Sequence, residues 1–452
     1  MYGVMDDGLP ILFTVFEPSG DVLAARLIEE LRRRQPGRPI FAFGGPRMEA
    51  AGAQLIESTT GHAKMGVGVG MVGEAKELLR RKQVLTAWLK ENPIAAHVPT
   101  DSPAANWSLC AAVRRTQPDA RIVHLVGPQI WAWAGWRIRR LRRLTDHVMC
   151  LLPFEPEWFG SRGVPATFVG HPLFQVPLPG ESSADAAGQA VTTIDGQPLR
   201  DAGTRLALLP GSREKEVRQN WPTMLKVFDQ LRHRLPDLGV VIAAADRTRA
   251  DQLKLLCPGG RPPRGMQVLV GNASAALDWA DAAVVVSGTA TLEAASRNTP
   301  MVVIYNANLT AWNLLGRFLV NARTFALPNV ISESLELGRV VPELVPHDGS
   351  PEPVIEHLRP LLTGGTEVAE QREGFAAIRA AYAGNVFRQA AADVLLQQIE
   401  EASLAPASVE VDVEADGDTD TDTAGPDDTA APDQPTQDHE TPDPVAQDKG
   451  AT

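Results

Sequence analysis

The chain has 452 residues, 44% of them hydrophobic, which is enough for two medium domains and too much for a small disulfide-stapled scaffold. Its net charge of -12 sits at one end: residues 405–452 hold 14 Asp or Glu against the single Lys449. The remainder is nearly neutral, which argues against a nucleic-acid binder built on phosphate neutralisation. Cys110, Cys150 and Cys257 supply neither a disulfide framework nor a Cys-x-x-Cys metal site, and fit a reducing cytoplasm. Asp6 and Asp7 precede the apolar run Ile11–Phe16, where a secretory leader would carry positive charge, so that run is predicted to be a strand. No stretch reaches the roughly 20 apolar residues of a membrane span, and the chain is expected to be soluble or peripheral.

Short β-branched runs follow at Ile40–Phe43, Ile94–Val98, Ile122–Val126, Val148–Leu152 and Thr167–Val169. Leu23, Leu27, Ile28 and Leu31 recur at helical spacing between the first two, which predicts a βαβ unit. The alternation predicts a parallel sheet flanked by helices, with ligands beyond the carboxyl ends of the strands. The first strand leads into Glu17-Pro18-Ser19-Gly20-Asp21, where Ser19 or Asp21 suits a helix cap and a ligand or a plain βα turn both fit. No Gly-x-Gly-x-x-Gly occurs there, which lowers the prospect of a nicotinamide enzyme. Met65, Val67, Val69 and Met71 form an apolar stretch ahead of a helix carrying Lys76, Arg80, Arg81 and Lys82. Asp101, in Asp101-Ser102-Pro103, emerges at a strand end, where it suits a general base or an ordinary turn. Trp131, Trp133 and Trp136 precede a basic helix with Arg137, Arg139, Arg140, Arg142 and Arg143. The two basic stretches read either as an acyl-chain entrance on an anionic membrane surface or as two amphipathic helices. His171, in Gly170-His171-Pro172, fits a turn or a site equally well.

Residues 177–203 read as a linker, so the first Rossmann-like domain is expected over 1–176 and the second over 204–367. Strands are predicted at Leu206–Leu209, Val240–Ala244, Val268–Val270, Ala283–Val286 and Met301–Tyr305. The first of these delivers Pro210-Gly211-Ser212-Arg213 to a helix N-terminus, with backbone amides and a guanidinium suited to phosphate. The fourth delivers Ser287-Gly288-Thr289 and, one turn on, Glu293, whose carboxylate suits a ribose diol. Together the two loops suggest a nucleotide diphosphate. Residues 368–404 are predicted to be helices bracing both halves, broken near Gly374 and Gly384; residues 405–452 hold almost no large apolar residues and are expected to be disordered. No metal-ligand run or Gly-x-Ser-x-Gly appears.

The order of motifs resembles the lipid-A-disaccharide synthases, inverting glycosyltransferases of the B-type fold. The resemblance covers about residues 10 to 400. It runs through Glu17–Asp21, Gly44-Gly45-Pro46, Met71–Glu74, Asp101-Ser102-Pro103, Ile130–Trp133, Leu151–Glu155, Gly170-His171-Pro172, Pro210–Arg213, Ser287–Glu293 and Leu327-Pro328-Asn329. It implies transfer of 2,3-diacylglucosamine from UDP-2,3-diacylglucosamine to the 6-hydroxyl of 2,3-diacylglucosamine 1-phosphate, releasing UDP, without a cofactor or metal. By the resemblance Asp101 is the base. Ser19, Asp21, Asn106, His171, Ser212, Arg213, Ser287, Thr289, Glu293 and Asn329 are expected to bind substrate. Met65, Val67, Val69, Met71, Trp136, Arg139 and Arg140 are expected to face acyl chains or the cytoplasmic face of the inner membrane. The chain departs from the family pattern at Phe16, Pro18, Ala104, Ala105, Asn306 and Pro346. A UDP-sugar epimerase on the same scaffold and a catalytically inactive UDP-sugar-binding regulator remain alternatives, and a homo-oligomer is left open.

Overall fold

The computed structural model describes residues 8–60, 71–132, 134–178, 193–306 and 324–404. The predicted acidic tail, and Met65, Val67 and Val69, lie outside them. The first half alternates strand and helix: β1 (Ile11–Val15), α1 (Pro18–Arg34), β2 (Ile40–Gly44), α2 (Pro46–Ala50), β3 (Gln54–Ser58), α3 (Met71–Glu91), β4 (Ala96–Thr100), α4 (Pro103–Thr116), β5 (Arg121–Leu125), α5 (Ile138–Leu144), β6 (His147–Cys150), α6 (Glu155–Gly160) and β7 (Ala166–Phe168). All seven strands pair in parallel, in the order β3-β2-β1-β4-β5-β6-β7. The second half holds β8 (Thr204–Leu209), α7 (Glu214–Arg232), β9 (Leu238–Ala244), α8 (Arg247–Leu255), β10 (Met266–Val270), α9 (Ala273–Trp279), β11 (Ala282–Val286), α10 (Thr289–Ser296), β12 (Met301–Asn306) and β13 (Glu343–His347). Its six strands are again parallel, ordered β10-β9-β8-β11-β12-β13.

Each sheet is buried on both faces, which is why its central strands read as largely apolar runs. In the first, Ile11, Phe13 and Val15 point toward α1, while Leu12 packs with Trp107, Leu109 and Val113 of α4. Leu27, Ile28 and Leu31 of α1 are wholly buried there, worth at most about 3 kcal/mol each. In the second, Leu206, Leu208 and Val240 face Trp221 and Phe228 of α7. The helix Thr366–Ala381 packs on the other face through Phe375, and Gln371 bonds both backbone groups of Met301. The last helix, Phe387–Leu404, returns to the first sheet through Phe387, Ala391, Ala392 and Leu395.

Two edge strands, β3 and β13, were not among the predicted elements. β3 is half polar, Gln-Leu-Ile-Glu-Ser, and β13 contains Pro346, which an edge tolerates because one side of its backbone needs no partner. Gly374 does not break a helix: it lies buried within Thr366–Ala381, where a Cβ would strike Val340. Gly384, with φ 81°, does end that helical run. The predicted 177–203 linker holds some structure, since Ile194 donates its N–H to Val268 of β10.

Two residues expected to touch ligand hold the fold instead. Asp21 is buried, and its carboxylate accepts the backbone N–H of Arg47 at 3.2 Å and of Met48 at 3.1 Å, anchoring the N-terminal turn of α2. Gly45 is required beside it, because a Cβ there would overlap Asp21 and Thr60. Asn329 is fully buried in the helix Leu327–Ser334. Its Oδ1 accepts the N–H groups of Val340 and Val341 at 2.9 Å each, and its Nδ2 donates to Val341 O at 3.0 Å and Glu343 Oε2 at 3.1 Å. Each buried partner orphaned by truncation costs about 1–3 kcal/mol. Asn329→Ala is therefore expected to lower the unfolding free energy by about 2–4 kcal/mol in urea titration. A loss under about 0.5 kcal/mol, the range of an indifferent surface change, would contradict this role.

Candidate active site

In each sheet the strand order reverses once, between β1 and β4 in the first and between β8 and β11 in the second. Loops leaving adjacent strands on either side of such a reversal diverge and open a crevice. The first crevice is lined by Glu17, after β1, and by Asp101 and Ser102, after β4. The second is lined by Gly211–Arg213, after β8, and by Ser287–Thr289, after β11.

Glu17 joins the two. Its Oε1 accepts the Ser102 hydroxyl at 3.2 Å and its Oε2 accepts Arg213 Nη2 at 3.3 Å, across from one sheet to the other. Asp101 lies within this field. Burial raises its carboxyl above the usual aspartate range, and the Glu17 charge adds to that. The Ser102 N–H, donated to Asp101 Oδ1 at 2.8 Å, and the Arg213 charge act in the opposite direction. Both Asp101 and Ser102 are left-handed, with φ 52° and 38°, a conformation costing non-glycine residues about 1–2 kcal/mol each. Asn106, expected to touch substrate, is instead fully buried beneath this turn. Its Nδ2 donates to Thr100 O at 3.1 Å and Asp101 O at 2.8 Å.

At the N-terminus of α7 the expected anion site is occupied from within. Glu216 Oε2 accepts the backbone N–H of Ser212 at 3.1 Å and of Arg213 at 3.2 Å, while Oε1 accepts Arg213 Nη1 at 3.0 Å. A carboxylate thus stands where a phosphate was expected. The Arg213 guanidinium remains two-thirds exposed between Glu17 and Glu216. On the adjacent loop, Gly288 and Thr289 are exposed at the start of α10, and Gly288 takes φ 147° with open space around it. Ser287 is turned inward, donating its hydroxyl to Phe325 O at 3.2 Å. Glu293 faces α9, accepting the Ser274 hydroxyl at 2.6 Å, and burial raises its carboxyl.

The remaining expected residues disperse. Ser19 is exposed in the first turn of α1, where Glu17 rather than Ser19 or Asp21 holds the cap position. His171 is buried, held neutral by burial that lowers its pKa to about 4, and its Nδ1 caps the short turn Pro172–Gln175 by accepting the Leu173 N–H. Trp136 is 63% exposed, and Arg139, Arg140, Arg142 and Arg143 are exposed on the adjoining α5. Arg140 also lies 5.2 Å over the Trp107 ring. Arg80 and Arg81 of α3 are engaged by Glu57 and Glu77. Met71 begins α3, and its side chain lies outside the described residues. Among the departures from the family pattern, Asn306 ties β12 to α7, donating its N–H to Asn220 and its amide to Gln219 O and the Thr223 hydroxyl.

Glu17 and Glu216 were not singled out from sequence. The signal for Glu216 was present as Arg213-x-x-Glu216 ahead of an apolar-periodic helix, the spacing of a capping box. Glu17 carried none beyond its place after a strand.

The family model for lipid-A-disaccharide synthetase matches residues 11–397. The lipid-A-disaccharide synthase of Pseudomonas aeruginosa (strain LESB58) is 35% identical over 397 residues, covering 88% of this chain and all of the relative. Among solved structures, the UDP-GlcNAc 2-epimerase from Neisseria meningitidis bound to UDP-GlcNAc has a TM-score of 0.59 at 12% identity, covering 86% of this chain and 99% of that one. CalG4, the calicheamicin glycosyltransferase, has a TM-score of 0.53 at 18% identity, covering 88% and 99%. These two likenesses share the fold alone, so the epimerase carries no weight for the reaction. The match of sequence from the first strand to the last helix makes this chain a member of the lipid-A-disaccharide synthase family, a glycosyltransferase of the B-type fold.

Proposed function

We propose that the protein transfers 2,3-diacylglucosamine from UDP-2,3-diacylglucosamine to the 6-hydroxyl of 2,3-diacylglucosamine 1-phosphate, with Asp101 as general base and Arg213 as a diphosphate contact. The observation that carries this reading is the meeting of a carboxyl from one crevice with a guanidinium from the other. Inversion needs that division. The acceptor oxygen attacks the anomeric carbon from one side while its proton passes to Asp101, and the bond to the UDP oxygen breaks on the other side, where Arg213 meets the developing negative charge.

The energetics favour a handover. An ion pair as exposed as Arg213–Glu17 contributes no more than about 1 kcal/mol, whereas a guanidinium can form two parallel bonds to a diphosphate. Displacing Glu216 would also release the Ser212 and Arg213 amides. The start of α10, at Gly288 and Thr289, offers a second set of donors to the same diphosphate, and Glu293, whose carboxylate accepts the Ser274 hydroxyl, is the proposed ribose contact. A base with a raised pKa is stronger, but it is lost to protonation at a higher pH than an ordinary aspartate.

The acyl chains set a further demand. We place the membrane contact on Trp136, Arg139 and Arg140, with Arg142 and Arg143 beside them, because one exposed indole adjoins an exposed basic face. An anionic, cytoplasm-facing bilayer suits that surface. Among the described residues no helix is long and apolar enough to cross a membrane.

Three outcomes test this reading. Asp101→Asn should lower kcat by about 10² to 10⁴ while leaving donor binding intact, and the wild-type kcat/KM should fall on acidification at a pH above the ordinary aspartate value of about 3.9. Turnover that survives the substitution would remove Asp101 from the proton transfer. Arg213→Ala should weaken UDP binding by about 10-fold or more in calorimetry, the loss of a charge-assisted contact of about 1.5–3 kcal/mol; unchanged affinity would put the diphosphate elsewhere. Trp136→Ala combined with Arg139→Glu and Arg143→Glu should reduce co-sedimentation with phosphatidylserine-containing vesicles by about 30-fold or more, given about 1 kcal/mol per basic residue. Undiminished binding would move the membrane surface to another face.

A further inference from the structure

Beneath the Asp101 turn runs a chain of buried polar groups with a single possible direction. Asn106 spends both hydrogens of its amide on Thr100 O and Asp101 O, so its Oδ1 is purely an acceptor. The Thr14 hydroxyl, 2.6 Å away, must therefore donate to it. Having given up its only hydrogen, that hydroxyl accepts from the next group in line, His97 Nε2 at 2.8 Å. His97 is thereby fixed as the neutral tautomer with its proton on Nε2. Its Nδ1, left as a bare acceptor, has no hydrogen-bond partner. Thr14, His97 and Asn106 are each wholly buried.

The three come from different elements. Thr14 and His97 lie on the adjacent strands β1 and β4, on the face covered by α4, and Asn106 lies in the second turn of α4. The chain thus ties the two strands of the first crevice to the helix that follows Asp101. Burying a hydroxyl and an imidazole in an apolar sheet face costs free energy unless every donor is used, and here every donor of the chain is used. Bonds aligned head to tail also polarise one another, which strengthens the grip of Asn106 on the two carbonyls.

We infer that Thr14 and His97 are positioning residues for Asp101, acting through Asn106 to hold two consecutive left-handed residues in the conformation that aims the carboxyl into the crevice. The inference rests on the reading of Asp101 as the base. Without the chain, Asn106 would keep only its two amide bonds, with Oδ1 left as a buried acceptor without its Thr14 donor, and the strained Asp101–Ser102 turn would be held less firmly. A displacement of about 1 Å at a reacting group costs on the order of 10²-fold in rate. His97 does not act as a pH switch. Burial, reinforced by the neighbouring His124 of β5 and Arg114 of α4, pushes its pKa down to about 3. The titrating group is Asp101, which faces Glu17 on the β1–α1 loop, Arg213 on the β8–α7 loop and the Ser102 N–H.

The test compares Thr14→Val, which keeps the shape and removes the hydroxyl, with Thr14→Ser, which keeps the hydroxyl, in the full chain. Thr14→Val should lower kcat by about 10- to 100-fold with donor KM within about two-fold, and should move the acid limb of kcat/KM to lower pH as the carboxyl gains solvent. Thr14→Ser should restore kcat to within about three-fold of the parent, because the chain is re-formed. A folded Thr14→Val enzyme with parental kcat and an unmoved acid limb, alongside an inactive Asp101→Asn, would overturn the positioning role while sparing the base. An active Asp101→Asn would instead remove the base and this inference with it. Should Thr14→Val fail to fold, His97→Gln against His97→Leu makes the same comparison from the other end. Gln retains an N–H for Thr14 and should keep the higher kcat, and equal rates would overturn the inference.

Discussion

The Arg213 guanidinium belongs to the second sheet yet makes a hydrogen bond to Glu17 of the first, and the proposed chemistry rests on that meeting. It is set by topology. Each parallel sheet reverses its strand order once, and the loops diverging at the two reversals, after β1 and β4 and after β8 and β11, supply the groups that meet. The last helix packs on the first sheet after the chain has built the second, so both halves are held by the same polypeptide. A transfer with inversion needs a base and a leaving-group cation on opposite sides of one carbon. In the proposed reaction Asp101 of the first crevice is the base and Arg213 of the second is the cation, so neither sheet has to supply both.

The carboxylates around Arg213 explain how so polar a place is maintained. Glu216 satisfies the amides at the start of α7, Glu17 satisfies the Ser102 hydroxyl, and Arg213 answers both charges. The Arg213–Glu17 pair is a weak, exposed interaction, and in the proposed reading a diphosphate with stronger geometry replaces it. The opposite holds at Asp101. There the supporting groups are buried and leave little freedom, as the proposed role of Asp101 as base requires and a binding loop does not.

The sequence-level reading recovered the central strands of both sheets because their β-branched runs are buried on both faces and therefore largely apolar. It placed Asp101 and Arg213 correctly at strand ends, since βα loops in parallel sheets carry polar residues there. It did not separate residues that touch the crevice from residues that hold it. Asp21, Asn106 and Asn329 stand beside motif residues in sequence, yet their side chains are spent on backbone groups 26, 6 and 12 positions away. Such commitments depend on which segments become neighbours in space, and no local periodicity encodes them. The same is true of Thr14 and His97. Each is one polar residue inside an apolar strand, and only the register Leu12↔His97 and Thr14↔Pro99 brings them to a common face. β3 and β13 escaped notice for a simpler reason, because edge strands need neither apolar continuity nor freedom from proline.

The most direct measurement is UDP release by the purified full chain given UDP-2,3-diacylglucosamine, with and without 2,3-diacylglucosamine 1-phosphate, followed by mass spectrometry of the lipid. If the two crevices serve donor and acceptor as described, release depends on the acceptor and the product is a tetra-acylated disaccharide monophosphate. Release that is indifferent to the acceptor, or UDP-sugar binding with no release at all, would contradict it.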